Sequence, residues 1–236
     1  MSRNICKKTI LKVAGIAIFA VLFYTSCDDN SVNVVTPEVT TFEDKRDGKI
    51  YKKVQIGSQI WMAENLNYAA DGSRCGRFDD SAAAVRCETY GRWYDWNTAM
   101  NGEHSSNSVP SGVEGICPVG WHIPSNAEWT ELVEYVGINA GTKLKSRDFH
   151  DTHRPGGTPA PDGTDKYRFT ALPGGYLNAI TNLSSTGRSA DWWSSTERES
   201  YSDEAWMSTI DGGTTYVGRT TVDKHRRFLS VRCVHD

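Results

Sequence analysis

Two adjacent tryptophans and a nearby acid are the side chains best suited to hold a ligand. Trp192 and Trp193 lie in the stretch DWWSSTE, which ends at Glu197. An indole ring offers a flat apolar face against which a sugar ring can pack. Adjacent residues of a strand point to opposite sides, so we expect one of the two tryptophans to face the surface and contact a ligand. Packing of both rings in the core is the alternative.

The polar segment 146–166 contains a second set of candidate ligands. His150 and His153 lie three residues apart, close to Asp148 and Asp151. Imidazole nitrogens bind transition metals, and neighbouring carboxylates supply oxygen ligands or orient the imidazoles. Long loops without helical or strand periodicity are often functional. A solvated loop that binds nothing is the alternative, and the sequence does not identify a metal.

Signs of an enzyme are sparse in the sequence. No nucleophile elbow points to a Ser-His-Asp triad. Two carboxylates of segment 146–166 could act as acid and base in a hydrolase. An envelope-associated hydrolase with acidic residues in this segment is therefore an alternative to a binding protein.

The N-terminus predicts export and lipidation. Four basic residues precede the apolar run 13–24, which is shorter than the ~20 residues that a membrane-spanning helix needs. This pattern is typical of a signal peptide, and we place it at residues 1–26. Ser26 and Cys27 resemble the cleavage site of a bacterial lipoprotein, in which Cys27 receives the lipid. An ordinary secretory signal with an accidental cysteine is the alternative.

The predicted mature chain divides into a tether and one domain. Residues 27–45 are polar and lack apolar periodicity, which is typical of a flexible linker. Residues 46–236 are enough for one domain with a sizeable core. Loss of the signal removes four basic residues and changes the net charge from −3 to −7. An acidic chain without a basic cluster argues against nucleic-acid binding.

Four cysteines remain after Cys6 and Cys27 are set aside, and an even count in an exported chain predicts disulfides. Cys75 and Cys87 share one short polar stretch, so we pair them and assign Cys117 to Cys233. A four-cysteine zinc site is the alternative, but the close Cys-x2–4-Cys spacing of zinc sites is absent.

Local patterns predict the elements of the first half of the domain. Two runs of strand-forming residues flank Gly57-Ser58 and predict a hairpin. Ser125 and Glu128 have the spacing of a capping box, and the amphipathic helix that they begin is expected to end at Gly137. In YGRWYDWNTAM, we expect a strand followed by a short helix that begins at Asp95.

Further strands are predicted toward the C-terminus. DWWSSTE and EAWMSTI predict two strands, GGTTYVGRTTV a hairpin, and YRFTALPGGYLN a strand followed by a turn. In FLSVRCV, Leu229, Val231 and Cys233 alternate and are expected to point to one side of the last strand. The bridge from Cys117 to Cys233 would then join the start of the capped helix to the sheet.

Six motifs in a fixed order carry a resemblance to a known family. They are DGKIYKKVQIGSQIWMAENLNY, the cysteine pair before YGRWYDW, CPVGWHIPSNAEWTEL, FTALPGGY, WWSSTE and the terminal SVRCVHD. Over residues 45–236 the chain resembles the Fibrobacter succinogenes major paralogous domain, a family of exported bacterial proteins. The resemblance transfers no catalytic residues. Where the family often has a tryptophan, this chain has Arg147-Asp148-Phe149.

That family is in turn similar to the C-type-lectin-like fold. The similarity implies a single α+β domain with twisted antiparallel strands, one or two helices, long loops and the two disulfides. It also implies calcium as a candidate cofactor, with Glu197 as one oxygen ligand. The Glu-Pro-Asn and Trp-Asn-Asp motifs of carbohydrate-binding C-type lectins are absent from the sequence.

These patterns favour a non-enzymatic binding or adhesion module whose partner is a glycan or a cell-surface protein. We expect it on the outer membrane or cell surface of a Gram-negative bacterium, held to the membrane by the lipid on Cys27. A purely structural envelope component is a further alternative.

Overall fold

Two β-sheets with short helices packed on them form the part of the chain that the structure describes. The structure is a computed structural model, and it describes residues 36–76, 83–149 and 163–236. These residues belong to one compact unit, Val35–Asp236. None of the helices within the described ranges combines the length and the hydropathy that crossing a bilayer requires.

The elements follow one another in a mixed order of strands and helices. The strands are β1 (Val39–Glu43), β2 (Ile50–Ile56), β3 (Gln59–Met62), β4 (Trp93–Tyr94), β5 (Trp121–His122), β6 (Leu177–Asn178), β7 (Leu183–Ser184), β8 (Ser189–Arg198), β9 (Tyr201–Asp211), β10 (Gly218–Asp223), β11 (Arg227–Ser230) and β12 (Val234–His235). The helices are α1 (Ala83–Tyr90), α2 (Trp96–Met100), α3 (Asn126–Val136) and α4 (Ala140–Leu144).

The strands form two separate sheets. The first has the spatial order β1-β2-β3-β12-β5, and its neighbours pair antiparallel. The second has the order β10-β9-β8-β11-β6-β7, with β4 paired to β11. Its pairs are antiparallel except for β8 and β11, which run parallel. Mostly antiparallel sheets with few helices confirm the predicted α+β class.

The hairpin and the capped helix are confirmed. Ile56 pairs with Gln59 across the turn that joins β2 and β3. Ser125 Oγ accepts the Glu128 N–H at 3.1 Å, and Glu128 Oε2 accepts the Ser125 N–H at 2.9 Å. This reciprocal pair satisfies two N–H groups at the start of α3 that no helical carbonyl can reach. The helix ends at Gly137, as expected.

Both predicted disulfides are present. Cys75 bonds to Cys87, 12 residues away, and Cys117 bonds to Cys233 across a sequence separation of 116 residues. Cys117 and Cys233 are buried in the same hydrophobic cluster as Val231 and Leu229. The long bridge therefore joins the segment before β5 to the segment before β12 inside the core.

Two predictions about strands are wrong in detail. FLSVRCV is not one strand, since β11 ends at Ser230 and β12 begins at Val234. The residues between them leave the second sheet for the first, and their carbonyls accept N–H groups from Met62 at the end of β3 and from Leu66 after it. In YRFTALPGGYLN only Leu177–Asn178 is a strand. Pro173 has no N–H for a ladder, and the Gly174-Gly175 turn follows it directly.

Candidate functional site

The two adjacent tryptophans do not reach the surface. Trp192 and Trp193 point to opposite sides of β8, as expected, but both are 0% exposed. Each side of the strand is covered by its own hydrophobic cluster, with Trp192 in one and Trp193 in the other. The expectation that one ring faces the surface is therefore wrong, because residues of α3 cover the Trp192 side of the strand and residues of α2 cover the Trp193 side.

Glu197 does not join a metal site in the part of the chain that the structure describes. Its carboxylate binds the ammonium group of Lys224, and its N–H donates to Ser105 Oγ at 2.9 Å. No group of three or more His, Cys, Asp or Glu residues is close enough to hold a metal within the described ranges.

The predicted histidine site lies outside the described residues. His150, His153 and Asp151 fall in the range 150–162, on which the structure is silent. Asp148, which lies two residues before this range, is exposed. After it, Asp165 accepts hydrogen bonds from the N–H and the hydroxyl of Thr170 at 2.8 and 2.9 Å. The acids proposed for a hydrolase are therefore not brought together by the described part of the segment.

Arg232 is a buried charged residue that was not among the site residues predicted from the sequence. Val231 and Cys233 on either side of it point into one core cluster, so strand-like alternation turns Arg232 the other way. There its guanidinium lies over the rings of Phe169 and Trp192, at 4.3 and 5.2 Å from their centroids. Arg232 is 1% exposed. A buried cation of this kind normally has an anionic partner.

An amide, not a carboxylate, receives the guanidinium of Arg232. Asn65 Oδ1 accepts from Arg232 Nε at 3.0 Å and from Nη2 at 2.7 Å. The same oxygen accepts the indole N–H of Trp192 at 2.8 Å. Arg232 Nη1 donates to the carbonyl of Phe169. These neutral acceptors satisfy N–H groups but supply no compensating charge.

The two carboxylates whose charges act on Arg232, those of Glu64 and Asp165, bind other residues. The Glu64 carboxylate accepts hydrogen bonds from the backbone N–H and from Nζ of Lys52, each at 3.0 Å. Asp165 binds Thr170. Burial lowers the pKa of Arg232 to about 9, against the opposing effect of these two carboxylates. At neutral pH the guanidinium therefore carries its charge inside the protein without an ion pair to a described residue.

A cavity of about 330 Å³ lies beside Arg232, and we call it the Arg232 cleft. Its walls come from β2, from the segment after β3, from the end of α1 and from the segment around Thr170 and Leu172. Ligand sites typically measure ~300–1,000 Å³, so this cavity can hold a small group or one sugar ring. Its polar lining includes Lys49, Lys52, Asn67, Glu88, Thr89 and Thr170.

The end of α1 packs closely against Asn65, which lines the cleft. Asn65 Nδ2 donates to the carbonyl of Tyr90 at 2.9 Å. Gly91 follows with φ +77°, and a Cβ at this residue would lie 2.8 Å from Asn65 Cβ. Glycine is therefore required here on two counts, a positive φ and a close approach. The Cys75–Cys87 bridge anchors the same helix, so the wall that carries Glu88 and Thr89 is held in place.

A comparison with protein families identifies the chain. A model described as the Fibrobacter succinogenes major domain matches residues 54–235. The chain belongs to the Fibrobacter succinogenes major domain family. No curated protein and no solved structure matches it.

Most of the cleft lies within the part of the chain that matches the Fibrobacter succinogenes major domain. Asn65, the end of α1, Thr170 and Arg232 lie inside residues 54–235, and only the contribution of β2 begins before it. The motif SVRCV contained a usable signal for Arg232. A basic residue at an alternating position between buried Val231 and Cys233 must either be exposed at a sheet edge or be buried with a partner.

A second buried polar group in this family member links α3 to the C-terminal strand. His122 Nε2 lies 2.7 Å from Glu128 Oε1, and Nδ1 lies 2.6 Å from Asp236 Oδ1. Burial lowers the pKa of His122, but the hydrogen bonds and charges of Glu128 and Asp236 outweigh it. The net effect raises the pKa above the usual 6.5. The two carboxylates therefore favour the protonated form of His122, which they share.

This arrangement predicts a stability that depends on pH. A raised folded-state pKa gives stability that is fully present below about pH 6.5 and lost as pH rises through the folded pKa. We expect His122→Gln to cost roughly 1–3 kcal/mol near pH 6 and clearly less near pH 9. Urea denaturation at both pH values measures this, with His235→Gln at an exposed neighbour as the control. A cost independent of pH would contradict the shared-cation account.

Proposed function

We propose that this chain is an exported, lipid-anchored binding module of a Gram-negative cell envelope, and that the Arg232 cleft receives part of a glycan. One observation carries the proposal. Arg232 is buried beside a cavity of about 330 Å³ without a carboxylate partner among the described residues. A bound ligand would pair with the Arg232 guanidinium. Burying an unpaired charge costs free energy, and a binding role explains this cost whereas a purely structural role does not.

The scaffold around the cleft supports a binding role. Its walls come from four separate segments. The side chain of Asn65, in one of them, bonds to Tyr90 at the end of α1 and to Ser230 and Arg232 near the C-terminus. Two disulfides fix the helix on one side and the last strands on the other. Preorganised walls reduce the entropy that a ligand must overcome on binding. We assign the fold to the C-type-lectin-like class on the motifs and on the long bridge to the last strand.

The location follows from the N-terminal sequence. The basic start, the apolar run and the Ser26-Cys27 pair support removal of residues 1–26 and lipidation of Cys27. Asp28 and Asp29 directly after the cysteine favour the outer face of the envelope. The predicted tether is shorter than residues 27–45, because Val39–Glu43 form β1 of the first sheet. It would hold the domain close to the membrane while leaving the cleft open to glycans outside the cell.

Blocking the cleft tests the proposal. Thr89 is exposed on the last turn of α1 and lines the cleft, so Thr89→Trp places an indole in its mouth. Val85→Trp adds the same indole one turn earlier, at a residue that is 64% exposed and outside the lining. We expect the full-length chain in mild detergent to bind a subset of envelope and plant polysaccharides, and Thr89→Trp to weaken this binding at least tenfold.

The control variant decides how the result is read. Val85→Trp should bind like the unaltered chain, and both variants should melt within a few degrees of it. Binding that survives Thr89→Trp would place the glycan elsewhere and contradict the proposal. A chain that binds none of the polysaccharides would also contradict it and would favour a protein partner or a purely structural role.

A further inference from the structure

We propose that the group recognised in the cleft is a single carboxylate, carried by a uronic acid residue of the glycan. This inference rests on the proposed binding role of the Arg232 cleft. The ligand class follows from three features of the site: the N–H groups that Arg232 has left, the charges at the rim, and the polar lining above the guanidinium.

The guanidinium of Arg232 has donors that are not engaged by the described residues. Of its five N–H groups, Nε uses one and Nη2 one on Asn65, and Nη1 uses one on the carbonyl of Phe169. Each terminal nitrogen therefore retains one N–H. Two donors on neighbouring nitrogens of a planar group suit the two oxygens of a carboxylate, which arginine binds in this bidentate way. The position is also desolvated, which strengthens such a bond.

The charges at the rim favour a ligand with one negative charge. Lys49 binds Asp47 at 2.8 Å, and Lys52 binds Glu64 at 3.0 Å, so both lysines are neutralised locally. Glu88 adds a further negative charge from α1. A monoanion bound to Arg232 would therefore meet less repulsion from Glu64 and Glu88 than a dianion such as a phosphate monoester.

The remaining lining suits the hydroxyl groups of a sugar. Asn67, Thr89 and the half-buried Tyr90 line the cavity, and the Thr89 hydroxyl, which donates to the Val85 carbonyl at 3.0 Å, can still accept a hydrogen bond. Few precisely placed polar groups with an aromatic surface are typical of a site that orients a small polar ligand. A uronic acid combines these hydroxyls with the carboxylate that Arg232 requires, in one ring that the volume of the cleft accommodates.

The experiment compares each acidic glycan with its neutral counterpart. Oligomers of glucuronate, galacturonate and mannuronate are titrated into the full-length chain, alongside the same oligomers after reduction of the carboxylate to a primary alcohol. We expect at least one acidic oligomer to bind and its reduced counterpart to bind at least tenfold more weakly. Thr89→Trp should abolish the difference between the two.

A charge-matched pair of variants tests the electrostatic part. Glu88→Gln removes a negative charge at the cleft, so we expect the affinity for the acidic oligomer to rise roughly twofold to fivefold at low salt. Glu134→Gln makes the same change in net charge on the exposed side of α3, away from the cleft, and should leave the affinity unchanged. Neither residue contacts Arg232, so neither variant threatens the fold.

The outcomes separate the two proposals. Equal binding of acidic and reduced oligomers, lost in Thr89→Trp, would overturn the carboxylate inference while leaving the proposed binding role in place. Absence of binding by every oligomer and every polysaccharide would overturn both. Equal effects of Glu88→Gln and Glu134→Gln would show that general charge, not recognition in the cleft, governs affinity, and would also overturn the inference.

Discussion

Replacing both Cys117 and Cys233 by alanine should lower the free energy of unfolding by roughly 4–5 kcal/mol, the largest effect of any change considered in this protein. The bridge closes a loop with a sequence separation of 116 residues. Chain entropy gained by the unfolded state grows with loop length, so a long bridge contributes more than a short one. Such a loss is comparable to the whole stability of many domains, about 5–15 kcal/mol.

The second bridge supplies a matched control. Cys75 and Cys87 are separated by 12 residues, so their replacement by alanine should cost roughly 3 kcal/mol. Urea denaturation of the two double variants under non-reducing conditions gives both values, with the slope confirming a comparable unfolding reaction. A smaller loss from the long bridge than from the short one would contradict the view that it closes the domain.

Trp192→Ala and Trp193→Ala should each destabilise the protein by about 3–5 kcal/mol, because each removes a fully buried indole from a different hydrophobic cluster. Trp192 packs against Trp129 with ring centroids 5.5 Å apart, and its N–H is needed by Asn65. The indole N–H of Trp193 donates to the carbonyl of Tyr94 at 2.8 Å. Deleting either ring leaves a cavity and removes a buried hydrogen bond, although Asn65 Oδ1 keeps its two bonds from Arg232.

An exposed aromatic residue serves as the control for these two variants. Tyr201 is 57% exposed and contacts Arg198 at the turn between β8 and β9, so Tyr201→Ala should cost under about 1 kcal/mol. Thermal and urea denaturation measure all three. A Trp192→Ala or Trp193→Ala variant that kept its stability and lost glycan binding would contradict the buried packing of that ring. It would support a tryptophan at the surface that contacts the ligand.

The elements that the sequence predicts well are those that neighbouring residues decide. The capping box of Ser125 and Glu128, the turn at Gly57 and the start of α2 at Asp95 each depend on contacts within a few residues. The disulfide pairing could also be predicted, because four cysteines allow three pairings and Cys75 and Cys87 share one short polar stretch. In these cases local chemistry and the final fold agree.

The candidate site could not be predicted in the same way. Asn65 and Arg232 are 167 positions apart in the chain. The residues around Asn65 therefore carry no signal that its side chain will accept hydrogen bonds from a distant guanidinium. The exposure of Trp192 and Trp193 failed for a similar reason. Alternation gives the two sides of a strand, but whether each side is covered depends on α2 and α3, which pack there from elsewhere in the chain.

A structure of the full-length chain with a bound uronate oligomer tests the role of Arg232 most directly. We predict its carboxylate in the cleft, with one oxygen about 2.8 Å from Nη1 and the other about 2.8 Å from Nη2 of Arg232, while Asn65 keeps its bonds to Nε and to Trp192. An acidic side chain from residues 150–162 bonded to the same two nitrogens, or an oligomer bound outside the cleft, would contradict the account.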